Sequence, residues 1–278
     1  NCLCEKEDVF AKRTSPTNIG MSLTACVCAL VNNFIDRKKF DEITFGILEE
    51  VAKLKKWHGH LYNWYDTENG NVLYPSYVST VDSGNFFMCL CYIRPFLNSE
   101  CGKIADEMID EVDFTPLFDV KKNLLYIGYN GADSVLDAGH YDLAASEALI
   151  CYIFCAGYGK IPMSSLLALR RKFSLKYKCQ YSWTGGCFEY LMPWLFVRFP
   201  SGSDLYESAL SVVSMQQKKS VAGVWGVSES QYAGVDESGN YRYKAFGISE
   251  IALSENAAGG VAAPYASFLC LPFVPKAV

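Results

Sequence analysis

Apolar residues recur at helical spacing through several stretches of the chain, and between them the pattern breaks. Pro16-Thr17-Asn18 precedes IGMSLTACVCALVNNFI, which predicts a helix that starts just after a turn. KKFDEITFGILEEVAKLKKW repeats the helical spacing. SGNFFMCLCYIRPFL predicts another helix with Ser83 as its N-cap, and GKIADEMIDEV a short amphipathic one. FTPLFDVKKNLLYIGYNGADSV reads as a loop or hairpin. HYDLAASEALICYIFCAGYG predicts a long, mostly apolar helix that ends at glycines. Further helices are expected around 162–172, after the Gly-Gly turn of SWTGGCFEYLMPWLFVRF, across DLYESALSVVSMQQKKSV, and at the close in ENAAGGVAAPYASFLCL. GVWGVSESQYAGV and NYRYKAFGI read as irregular.

The rhythm is therefore helix, polar-aromatic loop, helix, with little strand. No linker or low-complexity break divides residues 1–278, so a single domain is expected. Antiparallel helix pairs joined by short turns can close into a toroid in which the loops at one end share a hollow. An α-solenoid or a bundle gives the same periodicity.

Composition narrows the class. The chain has 278 residues, is 50% hydrophobic and 20% charged, and carries a net charge of −5. Its Lys and Arg are scattered rather than gathered in a stripe, which argues against nucleic acid as a partner. Most of the 12 cysteines lie in apolar runs such as ACVCALV and MCLCYI. That placement reads as small buried hydrophobes, hence reduced thiols and a cytoplasmic setting, rather than a disulfide framework or a zinc site. No apolar run approaches the ~20 residues of a membrane span. NCLCEKEDVF has no signal-peptide pattern, and its lack of Met suggests a trimmed segment. No phosphate-binding glycine motif or nucleophile elbow is found, and no cofactor is expected.

The loops carry the candidate chemistry. Four of them combine aromatics, acids and small residues at a helix start: GHLYNWYDT with YVSTVDSGN, HYDLAASE, YSWTGGCFEY, and VWGVSESQY with NYRYKAF. A pyranose offers flat apolar faces that stack on Trp and Tyr, and rim hydroxyls that bind carboxylates, amides and cations. Apolar walls with a few placed polar groups are the usual form of a small-molecule site. These loops read as walls of a sugar groove. Trp57, Trp64, Tyr65, Trp183, Trp225, Tyr241 and Tyr243 are the stacking candidates, although loop aromatics also pack into cores. His60, Asn63, Tyr141, Asp142, Glu189, Tyr190 and Lys244 are the accompanying candidates for substrate contact. His58 and His60 flank a glycine with no third ligand nearby and read as hydrogen-bonders rather than a metal pair.

RTSPTNIG, GHLYNWYDT, YVSTVDSGN, YDLAASEA, SWTGGCFEYLMP, VWGVSES, YRYKAFG and APYAS, in that order from about Arg13 to Phe268, resemble the glycoamylase-like domain family. That family includes the cyclising domain of bacterial cyclic β-1,2-glucan synthases and related endo-β-1,2-glucanases. The resemblance implies an all-α (α/α)6 toroid, here with fewer helices than a closed ring, and glycosidic-bond chemistry on β-1,2-glucan. It also implies a chain that sits in the cytoplasm, or at the inner face of the membrane as part of a larger enzyme.

Glycoside chemistry generally uses two carboxyl groups flanking the scissile bond. Glu147 follows AAS and precedes ALICYIFC. Burial in such a run raises a carboxyl pKa, as a general acid requires. A salt-bridged Glu near a helix start is the plainer alternative. Glu229 lies between two serines in VSES, where hydroxyls and amides can hold a carboxylate ionised; interaction with a helix dipole is the alternative there. Resemblance to the transglycosylating members assigns Glu147 as acid/base and Glu229 as nucleophile. Asp82 and Asp66 are second candidates, able to activate water in an inverting enzyme, although Asp82 also suits a helix cap. Three functions follow: retaining transfer or hydrolysis, an inverting endo-β-1,2-glucanase, and a sugar-binding domain that has lost activity.

Overall fold

The structure, a computed structural model, describes residues 3–6, 9–219, 223–237, 240–257, 259 and 261–274. Cys2 lies outside them. Nine α-helices occur among the described residues. They are α1 (Pro16–Val31), α2 (Arg37–Lys53), α3 (Thr80–Ile93), α4 (Ser99–Glu111), α5 (Leu149–Gly157), α6 (Ser165–Ala168), α7 (Cys187–Leu191), α8 (Asp204–Lys218) and α9 (Pro264–Leu269). Short side chains set several starting points by accepting from orphan amides of the first turn. Ser15 accepts from Asn18 N at 3.2 Å, Asp36 from Lys39 N at 2.7 Å, Asn98 from Cys101 N at 2.9 Å and Ser203 from Tyr206 N at 3.3 Å.

The chain forms two compact units. In the first, built mainly from residues 10–141 and 150–168, α1 packs on α2 and α3, and α2 packs on α4. Leu23, Phe40, Leu48, Phe86, Leu90 and Phe114 are fully buried there. Phe87 and Phe154 stack with centroids 5.4 Å apart, tying α3 to α5. The buried cysteines of this unit, Cys89, Cys101, Cys151 and Cys155, serve as small packing groups. A Cβ placed on Gly84 would lie 2.2 Å from Cys151 Cβ, so α3 and α5 meet where neither carries a bulky side chain.

The second unit, mainly residues 142–149 and 169–274, packs α7 against α8 and α9. Its core gathers Cys187, Leu191, Val212, Val213, Ile248, Ile251 and Ala266. Gln216, fully buried on α8, clamps the backbone of Val227: its amide donates to Val227 O at 2.8 Å and its oxygen accepts from Val227 N at 2.5 Å.

Three expectations are corrected. The long helix expected from His140 begins only at Leu149, because 142–144 is extended beside Arg170: Arg170 N donates to Asp142 O at 2.7 Å and Ala144 N to Arg170 O at 3.0 Å. The helix expected from Ser83 starts at Thr80, capped by Ser79, whose hydroxyl accepts from Asp82 N at 3.2 Å. Short strands are more frequent than the pattern suggested. The stretches read as irregular form an antiparallel hairpin, Ser230–Val235 with Tyr241–Lys244. Two-residue ladders leave too few alternating positions to register as strands in sequence. Of the loop or hairpin expected in 114–135, the structure shows a hairpin, with Phe118–Asp119 pairing Leu124–Tyr126. Among the described residues, no helix is long and apolar enough to cross a membrane.

Candidate active site

Glu147 sits in the second unit, in the tight segment that leads into α5. Ala144, Ala145, Ser146 and Ala148 around it are buried, and small side chains there allow close packing. The Ser146 hydroxyl donates to Glu147 Oε2 at 3.1 Å and accepts from Ala148 N at 3.2 Å. The Glu147 carboxyl is pushed up to about 8, first by burial, then by the negative charges of Glu189 and Glu229, with the Ser146 contact pulling the other way. At neutral pH it therefore holds its proton.

Glu189, on α7, is wrapped by the turn before it. It accepts from the Ser182 hydroxyl at 2.6 Å, the Thr184 hydroxyl at 2.8 Å, Thr184 N at 3.0 Å and Gly186 N at 3.1 Å. The turn passes through Gly185 at φ 73°, where a Cβ would strike Ile248 O at 2.4 Å. Only glycine combines that left-handed backbone with so close an approach. Four donors hold Glu189 as an oriented, fixed charge beside Glu147.

Glu229 lies at the foot of the 230–244 hairpin. Its Oε2 accepts from the Tyr243 hydroxyl at 2.5 Å. Its backbone carbonyl lies 2.9 Å from the Tyr265 hydroxyl, which is also 2.9 Å from Ser228 Oγ. Ser228 is fully buried and accepts from Phe188 N at 3.0 Å, joining the Glu229 strand to the start of α7. Burial and the charges of Glu229 and Glu147 push both the Tyr243 and Tyr265 hydroxyls up.

The remaining candidates of this unit divide. Trp183 is 59% exposed beside the Glu189 turn, an open aromatic face. Trp225 is half-buried, its carbonyl accepting from the Ser267 hydroxyl at 2.5 Å, and it lines a cavity of about 530 Å³ with Val227, Ile248 and Lys219. Tyr241 is half-buried and pairs with Val235, while Lys244 stands 5.3 Å from the Phe246 ring. Asp142 is ion-paired with Arg170 at 2.8 Å. Tyr190 is corrected to a core residue: it is buried, and its hydroxyl donates to Gln180 O at 2.7 Å.

In the first unit, Asp82 lies in the first turn of α3, so it neighbours the cap rather than serving as it. Its carboxyl is pushed up by burial and accepts from the Thr17 hydroxyl at 2.5 Å. Oriented to satisfy both neighbours, the Asn63 amide donates to Asp82 Oδ2 at 2.9 Å and accepts from Trp64 Nε1 at 3.1 Å. Asp82, Asn63 and Trp64 therefore form one cluster, and Arg13 lies 4.7 Å from the Trp64 ring centroid. Trp57 stacks on Tyr129 at 4.2 Å, and Tyr141 is half-buried with its carbonyl accepting from the Tyr152 hydroxyl at 2.7 Å.

Three candidates of this unit are corrected. His60 is fully buried between Ser83 Oγ at 3.1 Å and Asp113 O at 2.9 Å, and burial holds its pKa down at about 4, so it is a neutral core histidine. Tyr65 is a core ring whose hydroxyl donates to Lys55 O at 2.6 Å. Asp66 closes a turn, accepting from Glu68 N at 2.7 Å and Asn69 N at 3.3 Å. Sequence reasoning read Ser228 as a serine flanking the Glu229 carboxylate, whereas its hydroxyl contacts Phe188 N and the Tyr265 hydroxyl; it missed Tyr265, Thr17 and Arg170. Tyr265 and Thr17 lie in two of the quoted blocks, APYAS and RTSPTNIG, and that is the signal that marks them. Among the described residues, no group of three or more His, Cys, Asp or Glu is placed to hold a metal ion.

No family model matches the chain. It is 24% identical to the cyclic β-(1,2)-glucan synthase NdvB of Rhizobium meliloti, over an alignment that covers 97% of this chain and 14% of the synthase. Its fold is shared with an endo-β-1,2-glucanase from Chitinophaga pinensis, solved with sophorotriose and glucose, at a TM-score of 0.76 and 18% identity over 96% of this chain and 70% of that one. A β-1,2-glucanase from Parabacteroides distasonis matches at a TM-score of 0.78 and 14% identity over 96% of this chain and 44% of that one. The chain is similar in sequence to a segment that makes up about one seventh of a cyclic β-(1,2)-glucan synthase, and it shares its fold with β-1,2-glucanases of solved structure.

Proposed function

We propose that this chain makes or breaks β-1,2-glucosidic bonds, with Glu147 as acid/base and Glu229 as nucleophile. One observation carries the reading: Glu147 is held protonated at neutral pH, at about 8, by burial and by the charges of Glu189 and Glu229. A carboxylic acid that keeps its proton beside a second carboxylate is the pairing that glycoside chemistry requires. The linkage and the substrate are supported by the similarity to a cyclic β-(1,2)-glucan synthase and to β-1,2-glucanases.

In this mechanism Glu147 gives its proton to the glycosidic oxygen as the C–O bond breaks, and Glu229 bonds to the anomeric carbon. An incoming hydroxyl then gives its proton to Glu147 and displaces Glu229, so the anomeric configuration is retained. When that hydroxyl belongs to a sugar, the outcome is transfer; when it belongs to water, hydrolysis. Trp183 and Trp225 suit an acceptor platform that keeps water out. Glu189 fixes a charge beside the acid.

Asp82 carries the alternative, in which it activates water and the product is inverted; its raised carboxyl pKa supports that reading. The test follows chain length, reducing ends and product anomer by NMR on linear β-1,2-glucan, for the wild type and Glu229→Gln. Longer or cyclic products of retained configuration, lost in Glu229→Gln, are expected. An inverted product sinks the retaining mechanism. An unaltered glucan pool sinks the enzymatic reading and leaves a sugar-binding domain.

A further inference from the structure

The hairpin that starts at Glu229 also returns to it. Gln231 is paired with Tyr243 across the ladder, so Glu229, two residues before Gln231, is the diagonal neighbour of Tyr243 on the same face. A tyrosine side chain spans that diagonal, and the Tyr243 hydroxyl donates to Glu229 Oε2 at 2.5 Å. From the other side Tyr265, on α9, places its hydroxyl 2.9 Å from the Glu229 carbonyl. Ser228 and Gln216 fix the strand just before it. The backbone of Glu229 is thus held by the core of the unit, while the direction of its carboxylate is held by Tyr243.

We propose that Tyr243 is a positioning residue for Glu229, and that the site uses its hydroxyl rather than the face of its ring. The inference rests on the reading of Glu229 as the nucleophile. A carboxylate that attacks an anomeric carbon must point one lone pair at it, and a donor held on one of its oxygens fixes the direction of the group. The donor must also stay protonated. Although Tyr243 as a whole is 61% exposed, desolvation and the charges of Glu229 and Glu147 push its hydroxyl up, so it remains a donor across the working range. The titratable groups that face Glu229 include Glu147 from the 142–148 segment, Tyr243 from the hairpin and Tyr265 from α9.

Stacking and positioning separate cleanly, because Tyr243→Phe keeps the ring and removes the hydroxyl. Positioning predicts that Tyr243→Phe lowers kcat about 10- to 100-fold, the worth of a hydrogen bond to a charged group, with KM nearly unchanged. Stacking predicts wild-type kinetics for Tyr243→Phe and a raised KM for Tyr243→Leu. A second measurement is independent of turnover: carbon-13 NMR titration of the Glu229 carboxyl in the wild type and in Tyr243→Phe. Loss of the donated hydrogen bond favours the protonated acid, so the Glu229 midpoint rises in the variant. Wild-type kcat in Tyr243→Phe alongside a dead Glu229→Gln overturns the proposal and leaves the nucleophile standing. An unmoved Glu229 midpoint overturns it as well. Full activity in Glu229→Gln sinks the functional reading instead, and the titration still decides the contact.

Discussion

Glu147→Gln tests the electrostatics of the site without any substrate. In the folded chain burial, with the charges of Glu189 and Glu229, raises the carboxyl from 4.5 to about 8. Each factor of ten in proton affinity is worth about 1.36 kcal/mol, so the displacement corresponds to on the order of 5 kcal/mol. That figure is a ceiling, since Glu147 keeps some contact with solvent. The sign follows from linkage. Between the unfolded and folded pKa values the folded chain binds the proton and the unfolded chain does not, so stability falls as pH rises. The contribution is fully present below 4.5 and is lost as pH passes about 8. Glutamine resembles the protonated acid and has no such loss. Urea unfolding of both proteins near pH 5 and pH 9 is the assay. The variant should match the wild type near pH 5 within about 1 kcal/mol and exceed it by several kcal/mol near pH 9. The same stability difference at both pH values would show that Glu147 is not held protonated, and the acid assignment would fall with it.

Turnover of the wild type should decline on the basic side with a midpoint near 8, where Glu147 loses its proton, as a pH profile of kcat/KM would show. Glu189→Gln should move that midpoint downward by removing a negative neighbour. It should also cost about 1.5–3 kcal/mol of stability, read by denaturation, because the donors of Ser182, Thr184 and Gly186 lose a charged acceptor. Trp183→Ala should raise KM several-fold for long glucans and leave the Tm unchanged, since the ring is 59% exposed; an altered Tm would make it a packing residue. His60→Ala should cost about 2–4 kcal/mol with an unchanged KM, because the histidine is fully buried on Ser83 and Asp113. A raised KM would return His60 to the site.

Several helices were legible because their signals are local. The apolar spacing of α1, α2, α4 and α8 acts within a turn or two of one helix. The acid and aromatic loops were legible for a similar reason, since chemical type is carried by composition alone. The sequence also singled out Glu147 and Glu229, the first by its apolar surroundings and the second chiefly by family resemblance. What each loop residue faces was another matter. Trp57 lies on Tyr129, His60 between Ser83 and Asp113, Tyr190 under Gln180, and Tyr243 on Glu229. The partner in most of these pairs is remote in the chain, so no local pattern encodes it. The extended 142–144 shows the same limit in the backbone. Its own residues suit a helix, but the amide and carbonyl of Arg170 offer hydrogen bonds there that a helix would forgo. Local propensity, worth tenths of a kcal/mol per residue, yields to such partners, which exist only once the tertiary structure has formed.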